Sequence, residues 1–279
     1  MSDGEPLGII AGNRLFPQVF AREARRAGVR RLVAVAFEGE TDPAIGPLVD
    51  RVEWLKLGQL DRLIQAFKTN GVRKVVMVGQ IAPKNLFAHL RLDLRMTLLL
   101  ARLKRRNAET IFGAIGEELA KDGLELVPHA PFLARILPEP GVLTRRTPDA
   151  AERAAFQFGW PIAKEIARLD IGQTVVVKEG TVLAVEAFEG TDACLRRGGT
   201  LGKGGAIAVK VTKPNQDLRF DIPCIGLETI AILREAGIRA MAIEARRTLL
   251  LAREELLAAA NDHGIAIEAL DDQGLLHTQ

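Results

Sequence analysis

Tyrosine is absent from this chain of 279 residues, so no phenol can serve as a general acid or as a covalent nucleophile. Histidine occurs four times, at His89, His129, His263 and His277, with no partner motif around any of them, and all four read as structural or surface residues. The two cysteines, Cys194 and Cys224, form no CxxC and have no histidine at ligand spacing, which argues against a structural zinc site and fits a reducing cytosol. Aromatic residues make up only 5%, too few to interleave with the basic residues as a single-strand nucleic-acid platform requires, so no nucleic-acid partner is expected. Runs such as Met96 to Ala101 fall far short of a membrane span. The opening residues, MSDGEPLGIIAG, carry neither a basic region nor a long apolar core, and the expected location is the cytoplasm.

What is present is enough for a sizeable core: 48% of residues are hydrophobic and 26% charged. The net charge is only +3, yet arginines cluster at Arg22 to Arg31, Arg91 to Arg106 and Arg196 to Arg197. Such a balance suits an anionic surface or a phosphorylated substrate without choosing between them.

The spacing predicts strands at Leu7 to Ala11, Arg31 to Phe37 and Lys74 to Val78, with a helix over Gln59 to Asn70 whose Leu60, Leu63, Ile64 and Phe67 share one face. Alternation with short links implies a parallel, doubly wound sheet. Ligands in such sheets sit beyond the carboxyl ends of the strands, which here carry Gly12, Asn13 and Leu15 after the first strand and Gly79 and Gln80 after the third. The turn Gly12 to Pro17, running into a helix, can offer backbone N–H groups to a phosphate, although it is neither GxGxxG nor a Walker loop; a plain strand–helix turn explains the same letters. Leu86 to Arg106 predicts a leucine- and arginine-rich helix, either packed on the sheet or offered to lipid.

Prolines at 128, 131, 138 and 140 predict a linker, which places an N-terminal Rossmann-like domain at 1–130, the linker at 131–145 and a C-terminal catalytic, mixed α/β domain at 146–279. In the second domain Asp149 starts a long helix, interrupted or kinked near Gly159 to Pro161. A hairpin turns at Glu179-Gly180, and a helix follows Glu189, Gly190, Thr191 and Asp192, with Thr191 or Asp192 as its cap. Arg197 to Gly205 (RGGTLGKGG) reads as a mobile loop.

The densest chemistry lies in Lys210 to Ile230, KVTKPNQDLRFDIPCIGLETI. Asp217, Arg219 and Asp221 share parity, so an extended segment would present them on one face, where Arg219 could take a phosphate and the aspartates a metal or a water. An exposed, salt-bridged edge strand is the alternative.

GIIAGNRLFP, VVVKEGTVLAVEAFEGTDA, KVTKPNQDLRFDIPCIGLETI and AIEARRTLLL together resemble the LpxI-type UDP-2,3-diacylglucosamine pyrophosphatases of lipid A biosynthesis, from about residue 7 to about residue 270. The resemblance implies two α/β domains with substrate held between them. It also implies hydrolysis of UDP-2,3-diacylglucosamine to UMP and 2,3-diacylglucosamine 1-phosphate (lipid X), dependence on Mg²⁺ or another divalent cation, and work at the inner face of the inner membrane. It gives Asp221, the aspartate of RFDxP, the essential catalytic role. Asp221 and Asp217 are the candidate metal ligands. Gly12, Asn13, Leu15, Gly79, Gln80, Gln173, Glu189, Gly190, Thr191, Asp192, Lys213, Gln216, Asp217 and Arg219 are the candidate substrate contacts. A homodimer is the expected assembly. A non-catalytic sensor of sugar nucleotides or lipid phosphates, and a nucleotide-dependent oxidoreductase lacking its GxGxxG, are the competing readings.

Overall fold

A computed structural model describes residues 4–81, 92–104, 108–214 and 222–271. The chain divides into two compact units, the first running to Ala134 and the second starting at Arg135.

The first unit contains β1 (Leu7–Ala11), α1 (Phe16–Arg26), β2 (Leu32–Phe37), β3 (Arg51–Leu55), α2 (Leu60–Thr69), β4 (Lys74–Val78), α3 (Leu94–Arg102), α4 (Ala108–Lys121) and β5 (Glu125–Leu126). Its sheet has the order β3-β2-β1-β4-β5, with all four pairings parallel. The strand order reverses between β1 and β4. Right-handed crossovers running in opposite directions place α1 and α2 on opposite faces. On the α2 side Leu63, Ile64 and Phe67 meet Val33, Val35, Val75 and Met77, while Met96 and Leu99 of α3 and Leu119 of α4 extend the same cluster.

Strand β3 was not expected from the sequence. Its Arg51 and Glu53 are joined by an ion pair at the sheet edge, and these charges break up the apolar pattern that marks the other strands. Of the basic helix expected over Leu86 to Arg106, the described part is α3, and Arg95 is structural. Its guanidinium lies 3.0 Å from Glu118 on α4 and 2.6 Å from Asp122, which also receives Lys68 of α2 at 2.8 Å. Lys121, and then Arg95, hold the Glu118 carboxyl below its ordinary range against the opposing effect of burial, while Lys68 and Arg95 do the same for Asp122.

The second unit contains β6 (Gly141–Val142), α5 (Ala150–Arg168), β7 (Thr174–Lys178), β8 (Thr181–Val185), α6 (Thr191–Gly202), β9 (Ala206–Lys210), β10 (Cys224–Ile225), α7 (Leu227–Glu235), β11 (Ile238–Glu244), β12 (Leu249–Leu250), α8 (Arg253–Asp262) and β13 (Ala266–Leu270). Six strands form one mixed sheet in the order β6-β13-β11-β9-β7-β8, and β10 pairs with β12 separately. Strands β9, β11 and β13 are mutually parallel, β7 is antiparallel to both its neighbours, and β6 is antiparallel to β13. Val175 and Val177 face Phe156, Trp160 and Ala163 of α5, whereas Val176 faces Cys194 and Leu195 of α6 and the residues of α7 and α8. Both faces are therefore covered, as the continuous apolar runs of β7 and β9 require.

Helix α5 opens with a capping box, Glu152 N–H to Asp149 Oδ1 at 2.8 Å and Asp149 N–H to Glu152 Oε2 at 3.0 Å. It runs unbroken through Gly159 and Pro161 rather than stopping there. Gly159 is a contact residue, since a Cβ would stand 2.9 Å from the Val209 side chain. The hairpin turns where expected, with Glu179 and Gly180 both at positive φ. Residues 141 and 142 of the proline-rich stretch pair with β13, and Thr144 Oγ1 accepts the Ile267 N–H at 2.9 Å.

The RGGTLGKGG stretch is not a loop over most of its length, because its first residues are the last turns of α6. Its glycines allow close packing: a Cβ on Gly198 would lie 2.5 Å from Val176 Cβ, and one on Gly199 would lie 2.2 Å from the Ala236 carbonyl oxygen.

Two outcomes test this account. Gly199→Ala should destabilise the protein by roughly 2 kcal/mol or more, since backbone must move to admit the methyl; an unchanged Tm would refute the close-packing explanation. Because the Glu118 and Asp122 pKa values are depressed, their contribution to stability is full above the ordinary carboxylate range and is lost as pH falls through the depressed values. The Tm gap between wild type and Arg95→Ala should therefore be constant near neutrality and shrink below about pH 4, and a gap independent of pH would refute the charged network.

Candidate functional site

At the strand-order reversal of the first unit, β1 and β4 continue toward each other beyond their last paired residues. Gly12 N–H donates to the Val78 carbonyl at 2.8 Å and Asn13 N–H to the Gln80 carbonyl at 2.7 Å, closing an isolated bridge. A Cβ on Gly12 would stand 2.4 Å from the Gln80 carbonyl oxygen, and one on Gly79, which sits at φ 91°, would stand 2.8 Å from the Asn13 carbonyl oxygen. Both positions are thus restricted to glycine by space, and Gly79 also by backbone conformation. Of the backbone amides of the turn from Gly12 to Pro17, those of Gly12 and Asn13 are spent on Val78 and Gln80. The Asn13 side chain donates to Glu40 Oε2 at 2.8 Å, and its buried Oδ1 has no partner among the described residues. Leu15, the residue before α1, is partly exposed.

Beside this bridge an apolar cavity opens in the first unit, lined by Ile10, Leu57, Leu60, Met77, Met96 and Ile115 among others. Gln59 is the one polar side chain among its described lining residues, and Gln59 Oε1 already accepts the Lys56 N–H at 2.9 Å.

In the second unit the direction of the strands gathers a second polar group. β8, β9, β11 and β13 run the same way and β7 runs against them. Thr174 at the start of β7 therefore shares an edge with Glu186, just beyond β8, with Lys210, the last residue of β9, and with Glu244, the last of β11. Lys210 is only 6% exposed. Its ammonium donates to Thr191 Oγ1 at 2.7 Å and reaches Thr174 Oγ1 at 3.5 Å. Thr191 Oγ1 in turn donates to Glu186 Oε1 at 2.9 Å, while Glu186 Oε2 accepts the Gln173 N–H at 3.3 Å. Gly172 lets Glu186 come this close, since a Cβ there would stand 2.0 Å from the Glu186 carbonyl oxygen. A buried ammonium is therefore neutralised through a hydroxyl relay rather than by direct contact with the carboxylate.

Thr191 is the first residue of α6 and not its cap. Gly190, at φ 84°, holds that position, and no side chain caps the helix. The Thr191 hydroxyl cannot serve the helix end because it is engaged by Lys210 and Glu186. Asp192 lies in the first turn. Glu189 pairs with Arg197, and its own backbone N–H and then that guanidinium hold its carboxyl below the usual range. Lys213 pairs with Asp170, and Glu244 accepts from Lys164 at 2.7 Å, from the Thr212 N–H at 2.8 Å and from the Thr212 hydroxyl at 2.6 Å. Burial pushes the Cys194 thiol up to about 12, which keeps it protonated and unreactive.

The structure brings Gly12, Asn13, Leu15, Gly79 and Gln80 together in the first unit. It brings Gln173, Glu189, Gly190, Thr191 and Asp192 together in the second, with Lys213 three residues beyond β9. Gln216, Asp217, Arg219 and Asp221 lie outside the described residues, and so does their expected common face. Sequence reasoning left Lys210, Glu186 and Thr174 out of the site. The signal available for Lys210 was a lysine closing the otherwise apolar strand AIAVK.

These features define a two-unit α/β protein with a parallel sheet followed by a mixed one. Residues 6–136 match the family model of the LpxI N-terminal domain and residues 139–268 that of the LpxI C-terminal domain, so the chain belongs to the LpxI family. It is 32% identical over 280 residues to the UDP-2,3-diacylglucosamine pyrophosphatase LpxI of Caulobacter vibrioides, an alignment that covers 96% of this chain and 98% of that one. Among solved structures, the biotin carboxylase domain of a thermophilic 2-oxoglutarate carboxylase aligns with 63% of this chain and 35% of its own. The biotin carboxylase subunit of pyruvate carboxylase aligns with 66% and 38%. Both alignments have 11% identity and a TM-score of 0.27, and a likeness that loose carries no functional argument.

Thr191→Val should leave the Lys210 ammonium buried with only the longer contact to Thr174. The expected cost is about 1.5–3 kcal/mol, the range for a lost hydrogen bond to a charged group, read as a fall in the denaturation midpoint. A variant as stable as wild type would remove Thr191 from the relay.

Proposed function

We propose that this chain hydrolyses the pyrophosphate bond of UDP-2,3-diacylglucosamine, releasing UMP and 2,3-diacylglucosamine 1-phosphate. The observation that carries this reading is the near full-length identity to the Caulobacter vibrioides relative whose name states that substrate and reaction. The two family models, which between them span most of the chain, add to it. Water supplies the oxygen that bonds to the phosphorus nearer the sugar, and the bridging oxygen leaves with UMP.

Asp221 is the proposed catalytic residue, orienting the attacking water. Arg219 and Lys213 are the proposed phosphate-binding residues, since guanidinium and ammonium groups bind phosphate oxygens. Mg²⁺ is the proposed cofactor, with Asp221 and Asp217 as the residues that would hold it. Among the described residues no three histidine, cysteine or acidic side chains gather as a metal site, and Glu186, Glu189 and Glu244 are engaged by donors or cations. Mg²⁺ needs no such cage, since one or two carboxylates with substrate phosphates and waters suffice, so a pair of aspartates fits the ion. Bound there, it would neutralise charge on the phosphate oxygens. No described helix is long and apolar enough to cross a membrane. A protein with this substrate would meet the bilayer from its surface, at the cytoplasmic face in this proposal.

UMP release from UDP-2,3-diacylglucosamine should require Mg²⁺, stop with EDTA, and fall at least about a thousandfold in Asp221→Ala, with substrate binding retained. A folded wild type that binds the substrate without releasing UMP would instead be a sensor, and a variant with a near-normal rate would remove Asp221 from catalysis.

A further inference from the structure

We propose that the apolar cavity of the first unit is the seat of one acyl chain of the substrate, a proposal that rests on the reading above. The cavity stands where the strand order of the parallel sheet reverses. α/β sheets characteristically take ligands there, because the diverging crossovers leave a crevice beyond the strand ends. In most such sheets that crevice holds a polar ligand on free backbone amides. Here the amides of Gly12 and Asn13 are used up by Val78 and Gln80, and the crevice beside them is walled by Ile10, Met77, Leu57, Leu60, Met96 and Ile115. No described lining residue is charged, and the oxygen of the one side-chain amide among them, Gln59, already accepts the Lys56 N–H.

A lining whose one described polar side chain is Gln59 offers a nucleotide, a sugar or a phosphate few hydrogen bonds and would charge each its desolvation cost. A hydrocarbon chain needs none. Of the parts of a diacylated sugar nucleotide, only an acyl chain matches this lining. Helix α3 fits the same role, with Met96 turned to the cavity while Leu94 and Leu98 stand exposed one turn apart. Leu94 and Leu98 thereby give an apolar approach on the helix that lines the cavity. The bridge of Asn13 to Gln80 closes the polar side, so the chain would lie against the sheet's carboxyl end with the rest of the substrate outside.

The test varies the ligand and the cavity together. Substrates differing only in acyl length are compared by kcat/KM in wild type and in Ile115→Trp, which fills the space, and Met96→Gln, which polarises it. In parallel, binding of a fluorescent long-chain fatty acid is measured for all three proteins, with far-ultraviolet circular dichroism as the check on folding. In wild type, kcat/KM should fall by about fourfold per methylene removed over the length the cavity holds. Both variants should lose most of that dependence and should bind the fatty acid at least about tenfold more weakly. Folded variants that keep the full chain-length dependence and the probe affinity would overturn the proposal, as would a wild type indifferent to chain length. A wild type that binds the probe in an Ile115-dependent way but releases no UMP from any substrate would refute the hydrolase reading and leave an acyl-binding cavity. UMP release without chain-length dependence would do the reverse.

Discussion

Two strands that end in glycine and lean on each other govern the first unit. β1 and β4 are neighbours in a parallel sheet, and such neighbours ordinarily part at their carboxyl ends as their chains leave for opposite faces. Gly12 and Gly79 let them stay together for one more pair, at separations no Cβ tolerates. Everything at that end follows from this contact. It takes up the amides of Gly12 and Asn13, leaves the Asn13 side chain on Glu40, and borders a space walled by apolar side chains. The doubly wound topology supplies a crevice, and the glycine contact decides what kind of crevice it is.

The second unit solves a different problem. Its mixed sheet sets one antiparallel strand, β7, among parallel ones, so the start of β7 meets the ends of β8 and β9. Thr174, Glu186, Thr191 and Lys210 become neighbours for that reason and not because of proximity in sequence. A buried lysine is costly unless its protons are satisfied. Here hydroxyl groups of Thr191 and Thr174 do this, with the compensating carboxylate one step removed. Such an ammonium keeps more of its field than one in direct contact with a carboxylate, and it lies three residues before Lys213, at the start of the stretch richest in charged and amide side chains.

Much of the fold was legible in the sequence because strands β1, β2 and β4 and helix α2 state their burial in unbroken patterns. Strand β3 was hidden by Arg51 and Glu53, which suit an edge and disguise it. Gly198 and Gly199 were misread as loop because glycine signals freedom and close approach with the same letter; only the neighbouring Val176 and Ala236 distinguish the two. Thr191 was misassigned as a helix cap for a similar reason, since a hydroxyl at a helix start serves the helix unless a tertiary partner claims it. The glycine pair and the second-unit cluster were partly visible as strand-end residues. Lys210 was visible as a lysine closing a strand, but its burial and its bond to Thr191 were not. The face shared by Asp217, Arg219 and Asp221 belongs to residues outside the described ones.

The pairing of β6 with β13 has a consequence for how the chain acquires its structure. The described strands of the first sheet end at Leu126, and its longest-range pairing, β1 with β4, joins Leu7 to Lys74. The second sheet begins with Gly141 and Val142 against Ala269 and Glu268, and the Thr144 to Ile267 bond spans 123 residues. Contacts of such long range form late and slowly, because loop closure must be completed before they repay it. During synthesis the described strands of the first unit have all been made when less than half the chain exists. The second unit must wait for nearly the last residues to emerge before β13 can pair with β11 and β6.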